Sequence, residues 1–386
     1  MSASTAPGPL LPETPGHGYA DRMPPPLVLG IETSCDDTAC AVVDGLGRVL
    51  ASVVSSQLAV HRPYGGVVPE LASREQLANW PAVYAETLAR AGVTIAEVGA
   101  IAATAGPGLI GSLLVGLSLG RAMAWARGLP FFAVHHLEGH LYSPWLTTDG
   151  SPAAPFPERF VGLVVSGGHT SLYRVVPASA APVTLLAETR DDAFGEAFDK
   201  FGKRLGLPYP QGPLLDQLAE RGDAAAAPVA RLAGTEELFF SYSGLKTQAV
   251  RALEKLESQG LRMPPTELFT AQPAVAIAAI PQPFLDLAAG FRESAVRQVL
   301  DRLTRLHRQQ PFAELAVSGG AAANRLLRRR LPEWAGEREV TLRLVPLVYS
   351  GDNAAMIAFA AVARLERGAL DDPLRTEAAS RLPLGA

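Results

Sequence analysis

Cysteine is nearly absent from this 386-residue chain: Cys35 and Cys40 are the only two, and their spacing is not CxxC. That excludes a disulfide framework and a cysteine-based zinc site, and it fits a reducing cytoplasm, the expected location. Charge of one sign is also missing. With 34 Lys and Arg against 38 Asp and Glu, the net charge of −4 supplies no general field for nucleic acid. RNA contact then needs a local basic patch or a shared partner. Arg325 and Arg328-Arg329-Arg330 form such a cluster, although the same run suits a solvated helix end. Residues 1–26 are rich in Pro, Gly and Ser and lack an apolar core, so they read as a disordered tail and not as a signal peptide. Residues 100–120 run uncharged long enough to span a bilayer, and Gly106-Pro107-Gly108 divides them into a strand and a helix. No membrane partner is expected.

What is present is a compact composition, 48% hydrophobic and 19% charged, long enough for two domains. Val134-His135-His136-Leu137-Glu138-Gly139-His140 follows a short apolar run, so a buried strand is expected to turn into a helix there. Helical spacing puts His136 and His140 on one face, where two imidazoles can share a divalent metal. The plainer reading has one histidine capping the helix and the other solvated. Zinc or iron takes at least three protein ligands, so another must come from elsewhere. Asp352, at the start of a helix expected over 354–367, is either an N-cap or that missing carboxylate. Leu137 stands where a zinc peptidase has its glutamate.

The chain repeats one plan. Residues 27–32 read as a strand, 33–38 as a small polar turn and 39–43 as a return strand; 160–165, 166–170 and 171–176 repeat the series after a Pro-rich linker at 151–158. Each unit is followed by alternating strands and helices, which predicts an α/β duplication with a cleft between halves. The turn at 33–38 suits a phosphate with a cation, or is a plain β-turn. Ser318-Gly319-Gly320, ahead of a helix, suits a nucleotide, or is a tight βα turn. Residues 71–90 are expected to be helical with a break at Pro81. Asp191 and Asp192 are expected in the first turn of a helix carrying Asp192, Glu196 and Asp199 on one face. Residues 258–283 read as an insertion without regular structure.

Nine motifs in one order carry a resemblance: Gly30-Ile31-Glu32-Thr33-Ser34-Cys35-Asp36, 64–74, Thr104-Ala105-Gly106-Pro107-Gly108, 135–140, 165–170, 195–200, 240–247, 318–324 and 351–356. From residue 27 onward the chain resembles the TsaD family, the tRNA N6-adenosine threonylcarbamoyltransferases. The resemblance implies a duplicated actin-like, sugar-kinase-like ATPase fold, with lobes over 27–150 and 151–386 and a last helix packing back on the first lobe. It implies transfer of threonylcarbamoyl from threonylcarbamoyl-AMP to N6 of adenosine 37 in tRNAs reading codons that begin with adenine. Carried over by motif, His136, His140 and Asp352 match metal ligands, for Fe2+ or alternatively Zn2+. Val164, Val165, Ser166, Gly167, Gly168, Asp199, Gly212, Asp216 and Asn324 match substrate-binding positions, with ATP, ADP or an adenylate and Mg2+ as further ligands. Implied partners are tRNA, an inactive TsaB-like paralogue, a small TsaE-like ATPase and a separate adenylate-forming enzyme. Two positions depart from the family: Gln76 stands for a common histidine, and Gln211 for a common glycine.

The rival readings are a metal-dependent glycoprotein endopeptidase, a sugar kinase and a non-catalytic scaffold. The first lacks an adjacent base, and the last should have lost the histidine pair. No residue is assigned as the general base.

Overall fold

A computed structural model describes residues 26–230, 237–365 and 367–385. The tail expected over 1–26 lies, apart from Pro26, outside the described residues.

The first half opens with an antiparallel meander, β1 (Leu27–Glu32), β2 (Asp37–Val43) and β3 (Val49–Ser56). Helices α1 (Leu58–His61) and α2 (Pro69–Ala91) lead to β4 (Val98–Gly106), α3 (Ile110–Arg127), β5 (Phe131–His135) and α4 (His136–Tyr142). The second half repeats the meander in β6 (Phe160–Val165), β7 (Thr170–Val175) and β8 (Val183–Glu188). It continues through α5 (Phe194–Arg204), α6 (Gln211–Ala219), α7 (Ser243–Ser258), α8 (Thr266–Ala271), α9 (Pro273–Ala278) and α10 (Gln282–Gln309). The chain closes with β9 (Glu314–Ser318), α11 (Arg325–Gly336), β10 (Thr341–Leu344) and α12 (Ala354–Leu365). The strand orders β3-β2-β1-β4-β5 and β8-β7-β6-β9-β10 are the same arrangement twice. In each, the two later strands add in parallel beside the first, which therefore lies central and is buried on both faces.

The last helix of each half crosses to the other sheet, α4 onto β6 and β9 and α12 onto β1 and β2. Small residues permit this. A Cβ on Gly30 would lie 2.4 Å from the Ala354 carbonyl oxygen, and one on Gly162 would lie 2.3 Å from Leu141 Cδ2. The two helices meet at Gly139, where a Cβ would stand 2.9 Å from Ile357 Cδ1.

Three expectations need correction. Helix α2 runs through Pro81 without a break, because Pro81 is exposed and the buried stripe Ala72, Gln76, Trp80, Val83 and Thr87 continues past it. That shared burial offsets the roughly 3 kcal/mol an interior proline costs. Helix α5 begins at Phe194, so Asp191 and Asp192 lie outside it; Asp192 still meets Glu196 at the Lys200 ammonium, while Asp199 turns to Gly212. Residues 258–283 contain α8 and α9, whose Phe269 and Ala276, with Ile280 after them, join the core of the second half.

Candidate metal centre

Strand β5 delivers His135 and His136 to the carboxyl edge of the first sheet. His135 caps α4, its Nδ1 accepting from the Leu137 N–H at 3.1 Å while Nε2 lies 2.9 Å from the Leu382 carbonyl. The plain reading thus assigned a cap correctly in kind but to the wrong histidine. His136 and His140 remain free to face inward together, with ring centroids 4.8 Å apart.

Asp352 completes the group. The N-cap of α12 is Asn353, whose Oδ1 accepts from Met356 N–H at 3.0 Å, so the Asp352 carboxylate is not used for capping. Its Oδ1 lies 3.5 Å from His136 Nε2 and 3.3 Å from His140 Nε2. The latter pair is close yet misaligned for a hydrogen bond, and both nitrogens of the fully buried His140 are left without a partner. Ligands 2.0–2.2 Å from a four-coordinate ion stand roughly 3.4 Å from one another. One nitrogen from each imidazole, that of His140 buried and without a partner, at such a separation from a carboxylate and with all three atoms within 4.8 Å of one another, fits a divalent ion.

The carboxylates around the site favour positive charge there, a proton on His136 when no ion is bound. Burial disfavours charge on His136, but the carboxylates of Asp352 and Glu32 outweigh it and raise the imidazole to about 9. Burial lowers His140, keeping it in the neutral form a metal needs. Asp352 resists the upward push of burial because His136 and His140 hold it below the usual carboxylate range. His136 Nδ1 lies 3.2 Å from both Glu32 Oε2 and Ser34 Oγ, which orients the ring so that Nε2 faces Asp352. Glu32 is itself held by the Ser34 N–H at 2.5 Å and the Thr104 hydroxyl at 2.6 Å.

The turn at 33–37 owes its shape to two supports. Gln76 is fully buried, and its Nε2 lies 3.2, 3.0 and 3.2 Å from the carbonyl oxygens of Thr33, Cys35 and Asp37. From the other side Leu109 N–H donates to the Ser34 carbonyl at 2.8 Å, and a Cβ on Gly108 would come within 2.5 Å of that oxygen. Only glycine there lets the Gly106-Pro107-Gly108 loop pass so close.

The second half contributes the facing loops. Val164 and Val165 are buried in β6, and Ser166-Gly167-Gly168 leaves the strand with open space beside both glycines. His169 ends this turn. Burial first, then the neighbouring His136 and His140, lower its imidazole to about 4, so the ring beside the histidine pair is neutral. Sequence reasoning gave His169 and Glu32 no role of their own and Ser34 only a place in the 33–38 turn. The signal lay in their positions, at or just after the carboxyl end of β1 and in the turn between β6 and β7. Gly319 adopts φ +96 with its Cα against the Val165 carbonyl, and Gly320 approaches Gly351. The three loops at 166–169, 318–324 and 350–353 therefore converge.

The other expected substrate positions fall in two groups. Asp199, raised by burial, accepts from the Gly212 N–H at 2.8 Å and joins α5 to α6. Asp216 accepts from Asn324 Nδ2 at 2.8 Å, the Arg325 N–H at 3.1 Å and Arg292 Nη1 at 3.2 Å, while Asn324 Oδ1 caps α11. The arginine cluster is largely spoken for. Arg328 donates to the Ala322 and Val345 carbonyls, Arg329 pairs with Glu220 at 2.7 Å, and Arg330 lies 3.5 Å from Glu293. A cavity of about 1160 Å³ lies at the opposite end of β1 between Gly45, Phe156 and Phe359, away from these groups.

The model of the family described as TsaD, tRNA N6-adenosine threonylcarbamoyltransferase, matches residues 48–359. The chain belongs to that family. A tRNA N6-adenosine threonylcarbamoyltransferase of Sorangium cellulosum is 42% identical, the match covering 92% of this chain and 97% of the relative. One of Anaeromyxobacter dehalogenans is 45% identical over 92% and 99%. Among solved structures, HypF of T. kodakarensis superposes with a TM-score of 0.54 at 13% identity, over 89% of this chain and 48% of that one. That likeness concerns the fold, the duplicated actin-like and sugar-kinase-like α/β architecture. Among the described residues no helix is long and apolar enough to cross a membrane.

Proposed function

We propose that this chain, a tRNA N6-adenosine threonylcarbamoyltransferase, moves the threonylcarbamoyl group of threonylcarbamoyl-AMP onto N6 of adenosine 37 and releases AMP. The observation that carries the site assignment is the orphaned His140 beside Asp352, between glycine loops from both halves. His136, His140 and Asp352 hold one divalent ion, Fe2+ with Zn2+ as the alternative. Bound there, the ion supplies Lewis-acid stabilisation of negative charge on an acyl oxygen. The Ser166-Gly167-Gly168 backbone, continued by Val164 and Val165, cradles the acyl-adenylate. Asp199 and Gly212 with Asp216 and Asn324 border the nucleoside, where ATP or ADP with Mg2+ also fits. Because the substrate is already an activated anhydride, holding the amine against it accounts for much of the acceleration.

The RNA meets the lip of the cleft beside the 33–37 turn. Tyr64 is 62% exposed there, Arg62 is exposed next to it, and Lys203 Nζ reaches within 3.9 Å of where a Gly65 side chain would begin. An exposed ring between cations suits a stacked base with flanking phosphates. The outer face of α2 and α3, where Leu77 and Leu114 are 58% and 50% exposed, suits the TsaB-like paralogue. The TsaE-like ATPase and the adenylate-forming enzyme complete the cytoplasmic system.

The test is reconstitution with the adenylate-forming enzyme, partner subunits, threonine, bicarbonate, ATP and tRNA, reading the modified nucleoside. Absence of threonylcarbamoyladenosine from a complete mixture would refute the reading. The peptidase alternative is not favoured: Glu138, the acid within the histidine helix, is buried against Arg364 and cannot activate water at the pair.

A further inference from the structure

Glu138 lies between the two histidines in sequence, and helical geometry turns it about 200° from His136, onto the opposite face of α4. It is 2% exposed. There its carboxylate meets Arg364, in the last turn of α12: Nε stands 3.2 Å from Oε1 and 3.1 Å from Oε2, and Nη2 stands 2.5 Å from Oε2. The remaining donor, Nη1, reaches the Ala133 carbonyl at 3.0 Å and Asp371 Oδ2 at 3.2 Å. Asp371 Oδ2 in turn accepts from the Ala133 N–H at 2.9 Å. Arg367 approaches the same carboxylate, at 3.7 Å.

This one guanidinium therefore joins three pieces: β5, which aims His136; α4, which carries both histidines; and α12, which follows Asp352. Helices α4 and α12 also touch at Gly139, between the clamp and the histidine cluster. A tilt of either helix about that contact would change the separation of His136 and His140 from Asp352. A planar fork holding both carboxylate oxygens resists such a tilt better than apolar packing or a lysine could.

We propose that Glu138 and Arg364 are positioning residues for the metal centre, clamping α4 to α12 so that the two imidazoles and the Asp352 carboxylate stand at ligand spacing. The proposal rests on the reading of His136, His140 and Asp352 as the metal site.

The experiment is Zn2+ titration of the full chain in competition with a chromogenic chelator, for wild type, Glu138→Gln, Arg364→Lys, the double variant and His140→Ala. Near-isosteric Glu138→Gln keeps the helix packed, and Arg364→Lys keeps the charge while losing the fork, so either one alone suffices if the other does not fold. Each clamp variant is expected to bind Zn2+ about tenfold more weakly. The double variant should be no weaker than the worse single, because both remove one interaction. In the transfer assay, kcat should fall with KM for tRNA unchanged, and excess Zn2+ should restore the clamp variants but not His140→Ala. Zn2+ affinity equal to wild type in folded Glu138→Gln or Arg364→Lys overturns the proposal. Wild type that binds no more tightly than His140→Ala would instead remove the metal reading beneath it.

Discussion

Nε2 of His140 and Oδ1 of Asp352 lie 3.3 Å apart without the alignment of a hydrogen bond, in a site from which His140 is denied all water. On the function proposed above, a cation shared by the carboxylate and the two imidazoles accounts for the way both rings face Asp352.

Replacing His140 by Ala is accordingly expected to lower metal affinity at least about 100-fold, since a directly bound nitrogen matters more than an outer partner. Transfer should be lost with it while the circular dichroism spectrum stays native. Metal analysis and nucleoside digestion check this, and normal turnover by metal-stripped variant protein would sink the assignment.

Gln76 offers a test of the turn that orients His136. Three carbonyl oxygens share the two N–H donors of its amide, that of Cys35 also accepting from the Ser112 hydroxyl, and Gln76→Ala would remove those donors from buried acceptors at a cost of about 1–3 kcal/mol. Urea unfolding measures the loss. A variant as stable as wild type would show that water or a neighbour replaces the amide without strain.

Asp37 sets a pH dependence. Burial, with the neighbouring Asp36 charge, pushes its carboxyl up to about 7 from an ordinary 3.8, and Oδ1 is buried without a partner. The folded protein then holds this proton more tightly than the unfolded chain, so stability declines as pH rises from about 4 and levels off above 7. Asp37→Asn should stabilise by roughly 1–3 kcal/mol at pH 8 and change little at pH 4. Thermal melts at both values decide it, and equal shifts at the two would contradict the assignment.

For the RNA lip, Tyr64→Ala should raise KM for tRNA about tenfold or more, given roughly 1–3 kcal/mol per stacked base. Reversing Lys203 to Glu should weaken binding more at low salt than at high. Filter binding over a salt series tests both. Unchanged affinity in the double variant would place the RNA elsewhere.

The partner face yields a separate outcome. Leu77→Asp with Leu114→Asp should leave the isolated chain folded and abolish association with a TsaB-like subunit in analytical ultracentrifugation. Retained association would move that interface off α2 and α3.

Much of this protein was legible along the chain because its information is local. Strand–turn–strand units, the glycine loops and the HxxxH spacing depend on residues within one turn or hairpin, and all take the expected local form. Pro81 misled because a buried stripe in tertiary contact overrode a local penalty. The helix start at Phe194 was displaced because Asp191 accepts from Tyr242 and Ser243 N–H groups, some 50 residues on, and is not available to α5. The arginine cluster looked like an RNA patch until its partners Glu220 and Glu293 arrived from other helices. By itself the sequence determined the duplicated α/β plan and the histidine pair. Only the tertiary structure decided that Asn353 caps α12, that Asp352 is thereby free to meet His136 and His140, and that Glu138 turns away to Arg364. Those choices are made where helices from two halves cross, and the separation of groups there depends on close packing between segments far apart in the chain, which no spacing within either segment encodes.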